Sequence, residues 1–186
     1  MKSTGIVRRI DDLGRVVIPK EIRRNLRIRE GDPLEIFVDR EGEIILKKYS
    51  PIGELANFAR EYAESMYETL NKPVMITDRD SIIAVSGAAK KDFLGKSIGK
   101  MVEKSMEERR GFLNNYLENS TSHDGTIVAD DKGEESYRLG SEVIMPIISQ
   151  GDPIGTVIIC SKDGVGDIEK KVAQSAAGVL ARQMEQ

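Results

Sequence analysis

Two short runs near the start of the chain each predict a β-strand, the first by alternation of its residues and the second by its β-branched side chains. Ile6, Arg8 and Ile10 occupy alternate positions of the first run. A turn-forming stretch, residues 11–14, follows it, and a β-branched run resumes over residues 15–18. The pattern predicts a β-hairpin at the N-terminus.

A short helix and a second hairpin are predicted next. Pro19 favours a helix start, because its missing N–H costs nothing at the first helical position. Ile22 and Leu26 then give that helix an apolar i,i+4 face. Alternating residues over 34–38 and an apolar run over 44–46, with a glycine-containing turn between them, predict the second hairpin.

These first 50 residues are too few to bury a full core by themselves. A unit of that size buries only about 60% of its unfolded surface. The chain has one cysteine, Cys160, and one histidine, His123, which excludes an intrachain disulfide and a Cys/His zinc site. We therefore expect no metal and no cofactor, and instead a homodimer in which two N-terminal segments share one core.

A connecting helix is predicted over residues 51–70, because Ser50 and Pro51 are typical of an N-cap and a first helical position. Its apolar stripe leaves two compatible alternatives open. The stripe can pack on the domain that follows, or part of it can form a dimer seam with 4-3-4 spacing. The candidate seam residues are Leu55, Ala59, Tyr62 and Met66.

Residues 71–186 show an α+β pattern of their own. Apolar runs predict a hairpin over 74–85, a helix around 98–106 and an antiparallel strand pair over 143–160. The chain closes on a helix whose predicted inward residues are Ile168, Val172, Ala176, Val179 and Leu180. No apolar run approaches the ~18 to 20 residues of a membrane helix, so we expect a cytoplasmic protein that uses no membrane.

Charge separates the N-terminal segment from the rest. Residues 1–29 contain nine basic and three acidic residues, which gives +6, whereas the whole chain is −3 and residues 30–186 therefore sum to −9. Such an asymmetry points to a nucleic-acid-binding end attached to a part that does not bind nucleic acid. A basic surface that is merely solvated is the alternative.

The first fifty residues resemble the AbrB-type swapped-hairpin DNA-binding family. The resemblance runs from KSTGIVR through LGRVVIP to LKKY. It implies two chains that exchange hairpins into one barrel-like unit, bound to double-stranded DNA. The expected DNA-binding residues are Lys2, Arg8, Arg9, Arg15, Arg23 and Arg24.

Residues 51–186 resemble a GAF sensory domain, on the motif IMPI followed by DPIGTVII. Together the two halves resemble a family of transcription factors of the developing spore in endospore-forming bacteria. That resemblance implies activation or repression of sporulation genes, a homotetramer joined through the GAF-like domain, and a forespore or nucleoid location. The GAF-like domain either senses a small molecule or serves only to oligomerise.

Two rival functions fit the sequence less well. An antitoxin-like autoregulator would use the same hairpin to bind DNA, but its toxin-wrapping tail would be disordered, whereas residues 51–186 carry regular apolar runs. A redox enzyme of the GAF fold would need reactive cysteines, and Cys160 is alone in an apolar run. No phosphate-binding glycine loop or nucleophile–base pair is evident either, so we expect no enzyme.

Overall fold

A computed structural model divides the chain into two compact units, Met1–Tyr49 and Ser50–Gln186. Three residues singled out from the sequence, Lys2, Leu55 and His123, lie outside the described part of the chain. The structure describes residues 5–54, 56–115, 127–129, 135–137 and 140–185.

The first unit contains the predicted second hairpin. Strands β1 (Leu34–Val38) and β2 (Ile44–Lys48) pair antiparallel, with Leu34 opposite Lys48. The turn between them is held by Asp39, whose carboxylate accepts hydrogen bonds from the backbone N–H groups of Glu41 at 3.0 Å and Glu43 at 2.9 Å. An aspartate that bonds its own following backbone is the usual way to close such a turn.

The short helix is also confirmed. Helix α1 spans Lys20–Asn25, and Pro19 is its N-cap residue rather than its first helical residue. Ile22 is half-buried, whereas Leu26, just past the end of the helix, is 57% exposed. The apolar face that the sequence predicts is therefore only partly covered within this chain.

The predicted first hairpin forms only its turn. Residues 11–14 close on themselves through Gly14 N–H to Asp11 O at 3.1 Å, but neither flanking arm is a regular strand. Val7 is 92% exposed and Val17 is 71% exposed. A strand needs a partner for its backbone N–H and C=O groups, and within the described residues of this chain the two arms pair with no other strand.

The second unit is built on an antiparallel sheet of five strands in the order β4-β3-β9-β8-β5. A further pair of short strands, β6 and β7, lies outside that sheet. The predicted hairpin and the predicted late strand pair are both confirmed. The strands are β3 (Val74–Thr77), β4 (Ile82–Ser86), β5 (Phe112–Asn114), β6 (Val128–Ala129), β7 (Glu135–Tyr137), β8 (Ser141–Ser149) and β9 (Asp152–Ser161).

Helices cover both faces of this sheet. Along β3, Val74 and Ile76 belong to a core that contains the helices over residues 56–70 and 167–183. Met75 belongs to a separate core on the opposite face, with the helix over residues 100–107. This alternation follows from the period of two along a strand. The helices are α2 (Pro51–Glu54), α3 (Ala56–Leu70), α4 (Lys90–Phe93), α5 (Lys100–Glu107) and α6 (Asp167–Gln183).

The stripe on the predicted connecting helix packs on its own unit. Ala59 and Met66 are buried in the core beneath α3, with exposures of 0% and 5%. Tyr62 is half-buried and its ring stacks on Phe58, with the ring centroids 5.8 Å apart. For Ala59 and Met66 this favours packing over a dimer seam, because their side chains are already covered. A seam along this helix would have to use its exposed face.

The inward face of α6 differs from the prediction. Ala176 and Leu180 are buried as expected, but Ile168 is 67% exposed. Glu169 lies on the inward stripe instead, and its carboxylate accepts a hydrogen bond from Lys72 Nζ at 2.6 Å and from the backbone N–H of Gly166 at 2.8 Å. These donors hold the pKa of Glu169 below its usual value and allow a carboxylate to take the inward position.

The close approach of the Gly155 backbone to Thr77 on the neighbouring strand leads to a stability prediction. A Cβ built there would lie closer to the carbonyl oxygen of Thr77 than real Cβ atoms come to any neighbour, and that oxygen belongs to rigid backbone. We expect Gly155→Ala to lower the free energy of unfolding by about 3 kcal/mol, because strands β3 and β9 must separate. Gly178→Ala in α6, where space is open, should be neutral or stabilise by up to ~1 kcal/mol. Denaturant titration of both variants would refute this reading if Gly155→Ala were as stable as the parent.

Candidate nucleic-acid interface

The structure places the predicted arginines on three parts of the first unit. Arg8 and Arg9 lie on the extended first arm, Arg15 follows the turn, and Arg23 and Arg24 lie in the last turn of α1. All are exposed except Arg23, which is half-buried. Lys2, the sixth predicted residue, is outside the described part of the chain. The five arginines that the structure describes therefore all lie in the first compact unit.

The turn before Arg15 positions its side chain. The Asp11 carboxylate accepts hydrogen bonds from the backbone N–H groups of Leu13 at 3.0 Å and Arg15 at 2.8 Å, and from Arg15 Nε at 2.8 Å. Gly14 supplies the positive φ of +75° that this tight turn requires. The remaining guanidinium N–H groups of Arg15 stay on a side chain that is 69% exposed, where they can reach an anion.

Helix α1 presents its two arginines where the backbone favours cations. Arg23 and Arg24 lie in the last turn, at the negative end of the helix dipole. The residues after the helix are tied to the hairpin, because Lys48 Nζ donates to the carbonyl of Arg27 at 2.7 Å and lies 3.6 Å from the Asp32 carboxylate. Lys48 thus supports the helix end.

Arg27 and Lys47 are among the exposed basic residues of this unit that the predicted set does not contain. Arg27 adopts a positive φ of 51° just past α1. Lys47 places its Nζ 5.0 Å from the ring centroid of Phe37, a cation–π contact across the β1–β2 hairpin. The charge count already included Arg27, and strand pairing could have indicated Lys47, since it lies on the strand opposite Glu35 and next to Phe37.

The charge contrast follows the boundary between the units. Residues 1–49 contain twelve basic and nine acidic residues, a net +3, whereas residues 50–186 contain sixteen basic and twenty-two acidic ones, a net −6. Arginine stays protonated in proteins and its planar fork matches phosphate oxygens. The first unit is therefore the one that attracts a polyanion.

The rival reading of a redox enzyme that uses Cys160 has little support from the structure. Cys160 is fully buried, and burial, followed by the nearby Glu142 carboxylate, raises the pKa of its thiol well above the usual value. A thiol of that kind is a poor nucleophile.

Within the described ranges no group of three or more His, Cys, Asp or Glu side chains could hold a metal ion. None of the helices in these ranges combines the length and apolar character that crossing a membrane requires.

Two family models match the chain, one for each unit. The model described as "Stage V sporulation protein T C-terminal, transcription factor" matches residues 54–185. The model described as "Antidote-toxin recognition MazE, bacterial antitoxin" matches residues 7–54.

Curated relatives extend these matches over the whole chain. The chain is 58% identical over 187 residues to stage V sporulation protein T of Bacillus subtilis, with all of both chains covered. It is 71% identical over 51 residues to the transition state regulatory protein AbrB of the same organism, covering 27% of this chain and 52% of that relative.

Solved structures define the fold of the second unit. The GAF domain of an Acinetobacter phosphoenolpyruvate-protein phosphotransferase matches with a TM-score of 0.54 at 11% identity, over 70% of this chain and 82% of that one. A free methionine-R-sulfoxide reductase from Thermoplasma acidophilum matches with a TM-score of 0.53 at 16% identity, over 72% and 95%. At these identities the likeness concerns the fold alone.

Fold and site together define a DNA-binding transcription factor, with an AbrB-type N-terminal unit followed by a GAF-fold unit. More particularly, the chain belongs to the stage V sporulation protein T family, whose model and full-length relative it matches.

Arg15 should lose its anchor in acid. The backbone hydrogen bond from Arg15, and next its side-chain bond, lower the pKa of Asp11. The turn is therefore stabilised at pH values above the ordinary pKa of a carboxyl group, and it is released as the pH falls through the lowered pKa of Asp11. We expect the NMR amide signals of Leu13 and Arg15 to titrate together below the ordinary aspartate range, and to stop titrating in Asp11→Asn. A midpoint at or above the ordinary value would show that Asp11 does not hold Arg15.

Proposed function

We propose that the protein is a transcriptional regulator of sporulation genes whose N-terminal units form dimers by exchanging hairpins around one shared core. It binds double-stranded DNA through Lys2, Arg8, Arg9, Arg15, Arg23 and Arg24. The observation that carries the proposal is the exposure of four of these arginines, with a fifth half-buried, on the basic unit of an otherwise acidic chain.

The exposed apolar residues of the first unit support the dimer. Val7 and Val17 on the arms, and Ile36 and Val38 on β1, are between 69% and 92% exposed. Each side chain of this kind contributes about 1.5–3 kcal/mol when it is buried. A second copy offers the same apolar strands and the same unpaired backbone groups, so mutual exchange satisfies both needs at once.

Arginine chemistry sets the mode of DNA recognition. The guanidinium fork binds phosphate oxygens and the guanine edge, and two copies related by a two-fold axis present the array to both strands. The predicted set contains only arginine and lysine, without the asparagine or glutamine that read adenine. We infer that the protein reads the shape and deformability of DNA with relaxed sequence demands.

The second unit serves assembly and regulation in this proposal. GAF-fold units join swapped-hairpin dimers into a homotetramer, and a small molecule bound by this unit shifts DNA affinity by preferring one arrangement of the assembly. The protein acts in the cytoplasm of the forespore, at the nucleoid, and catalyses no reaction. The burial of Cys160 supports the last point.

An antitoxin function is the second candidate, since the antitoxin model matches residues 7–54. That match concerns the DNA-binding unit alone. The residues that would form a toxin-wrapping tail fold into the sheet and helices of the GAF unit instead. The observations therefore favour a regulator with a sensor unit.

DNA affinity should fall steeply with salt. Residues 1–29 contribute +6 per chain, and a dimer doubles this. If six or more phosphates are neutralised, the slope of log K against log salt is about −5 or steeper. Titrating a labelled duplex with the full-length protein at several salt concentrations measures it. A slope shallower than about −2 would contradict an electrostatic interface.

Removing single arginines should separate binding from folding. We expect Arg15→Ala, Arg23→Ala and Arg24→Ala each to weaken DNA binding by tenfold or more, on the order of 1.5–3 kcal/mol for a charge-assisted contact. Arg40→Ala is the matched control, because Arg40 is exposed in the β1–β2 turn of the same unit and is outside the predicted set. Circular dichroism and sedimentation should be unchanged in all four variants. Unfolded variants would assign these arginines to the fold rather than to DNA.

A further inference from the structure

A cleft of about 620 Å³ lies in the second unit, between α6, strand β8 and residues 109–111. Strand β5 pairs with β8 only from Glu142 to Ile144, so the following residues of β8 border the cleft. The cleft is on the side of the sheet covered by α6. Its size is in the range of small-molecule sites, about 300–1,000 Å³.

The lining of the cleft is basic although its unit is acidic. Arg109, Arg110 and Lys170 line it, and its described lining contains no carboxylate. Arg109 Nη2 lies 3.9 Å from Asp152 Oδ1 and Arg110 Nη2 lies 3.1 Å from Glu108 Oε2, but these side chains are 40% to 72% exposed. Ion pairs of that kind are weak and exchange readily for a better anion.

Lys170 adds a cation without a competing carboxylate. Within the described part of the chain Lys170 makes no ion pair, and it lines the cleft from the first turns of α6. Three cations around one concave space concentrate positive potential there, which selects for a negatively charged occupant.

Gly178 keeps the floor of the cleft open. It lies in the interior of α6, where glycine costs stability relative to alanine. A Cβ built at this position would meet only Arg182 Nη2, at 3.8 Å, which is ordinary contact. Among the described residues, packing therefore does not require glycine here. The missing side chain leaves apolar space beside Ala177 and Ala181.

The strand edge beside the cleft is poorly suited to a peptide. Pro146 lies in this part of β8 and has no N–H to offer an added strand. Proline at a sheet edge discourages strand pairing. The concave, basic and partly apolar lining favours a compact ligand instead.

We propose that this cleft binds a small organic anion, one phosphate or other acidic group on an apolar body. Arg109, Arg110 and Lys170 hold the acidic group, and the body lies on Pro146 and over Gly178. The proposal deepens the sensor role given above and rests on it for any effect on DNA. Ligand binding measured without DNA tests the cleft alone, and DNA titrations test the regulator.

Calorimetric titration of the full-length protein with 1-naphthyl phosphate provides the test. We expect one saturable site per chain. 1-Naphthol carries only the apolar body and inorganic phosphate carries only the acidic group. Each should bind at least tenfold more weakly than 1-naphthyl phosphate. Equal affinity for all three compounds, or no saturable binding of 1-naphthyl phosphate, would overturn the proposal.

Variants locate the site. Arg109→Gly suits the positive φ of 51° at that position, so it removes the cation without straining the fold. We expect Arg109→Gly and Lys170→Gln each to weaken binding about tenfold, the usual effect of losing one charge-assisted hydrogen bond. Lys171→Gln is the matched control, because this neighbour on α6 is exposed and does not line the cleft.

Gly178→Leu fills the floor of the cleft and should abolish binding, with an unchanged assembly mass and a thermal midpoint equal to or above that of the parent, because leucine favours a helix interior over glycine. Binding that survives in the Arg109→Gly, Lys170→Gln double variant would place the ligand elsewhere and contradict the proposal. A change of assembly mass in Gly178→Leu, with no ligand bound by the parent, would instead assign the cleft to contact between copies of the chain, which also contradicts it.

Discussion

The rest of this protein's organisation depends on apolar strands that one chain does not cover. In the first unit, Val7, Val17, Ile36 and Val38 are all more than two-thirds exposed, although each is a residue type that is normally buried. A unit of 49 residues has too little chain to cover them. The need for a second copy explains why this unit is a dimer in our account, and why its arginines come in two-fold related sets.

The two units divide the work by charge. The basic first unit offers cations on its two arms and on a short helix, whereas the second unit has a net negative charge although its cleft is lined by cations. Because like charges repel, the net negative charge of the second unit disfavours its contact with the DNA backbone, whereas the net positive charge of the first unit favours such contact.

Local patterns predicted most of the elements whose partners are near in sequence, although of the first hairpin only the turn at residues 11–14 forms within this chain. The β1–β2 hairpin, the β3–β4 hairpin and the burial of Cys160 followed from alternation and apolar runs. The inward face of α6 did not, because Glu169 turns inward to meet Lys72, 97 positions away. The DNA-binding arginines were predicted from charge and motif, but the anchoring of Arg15 by Asp11 becomes evident only from the turn geometry. The cleft joins residues 109–111 to α6 through the fold alone, and no local signal marks it.

The exchange of hairpins is tested most directly on residues 1–53 alone, by sedimentation and thermal melting over a hundredfold range of protein concentration. If two chains share one core, folding and association are one equilibrium and the thermal midpoint depends on concentration. We predict a dimeric mass and a thermal midpoint that rises with concentration, with no folded monomer at low concentration. A folded monomer whose midpoint is independent of concentration would contradict the account.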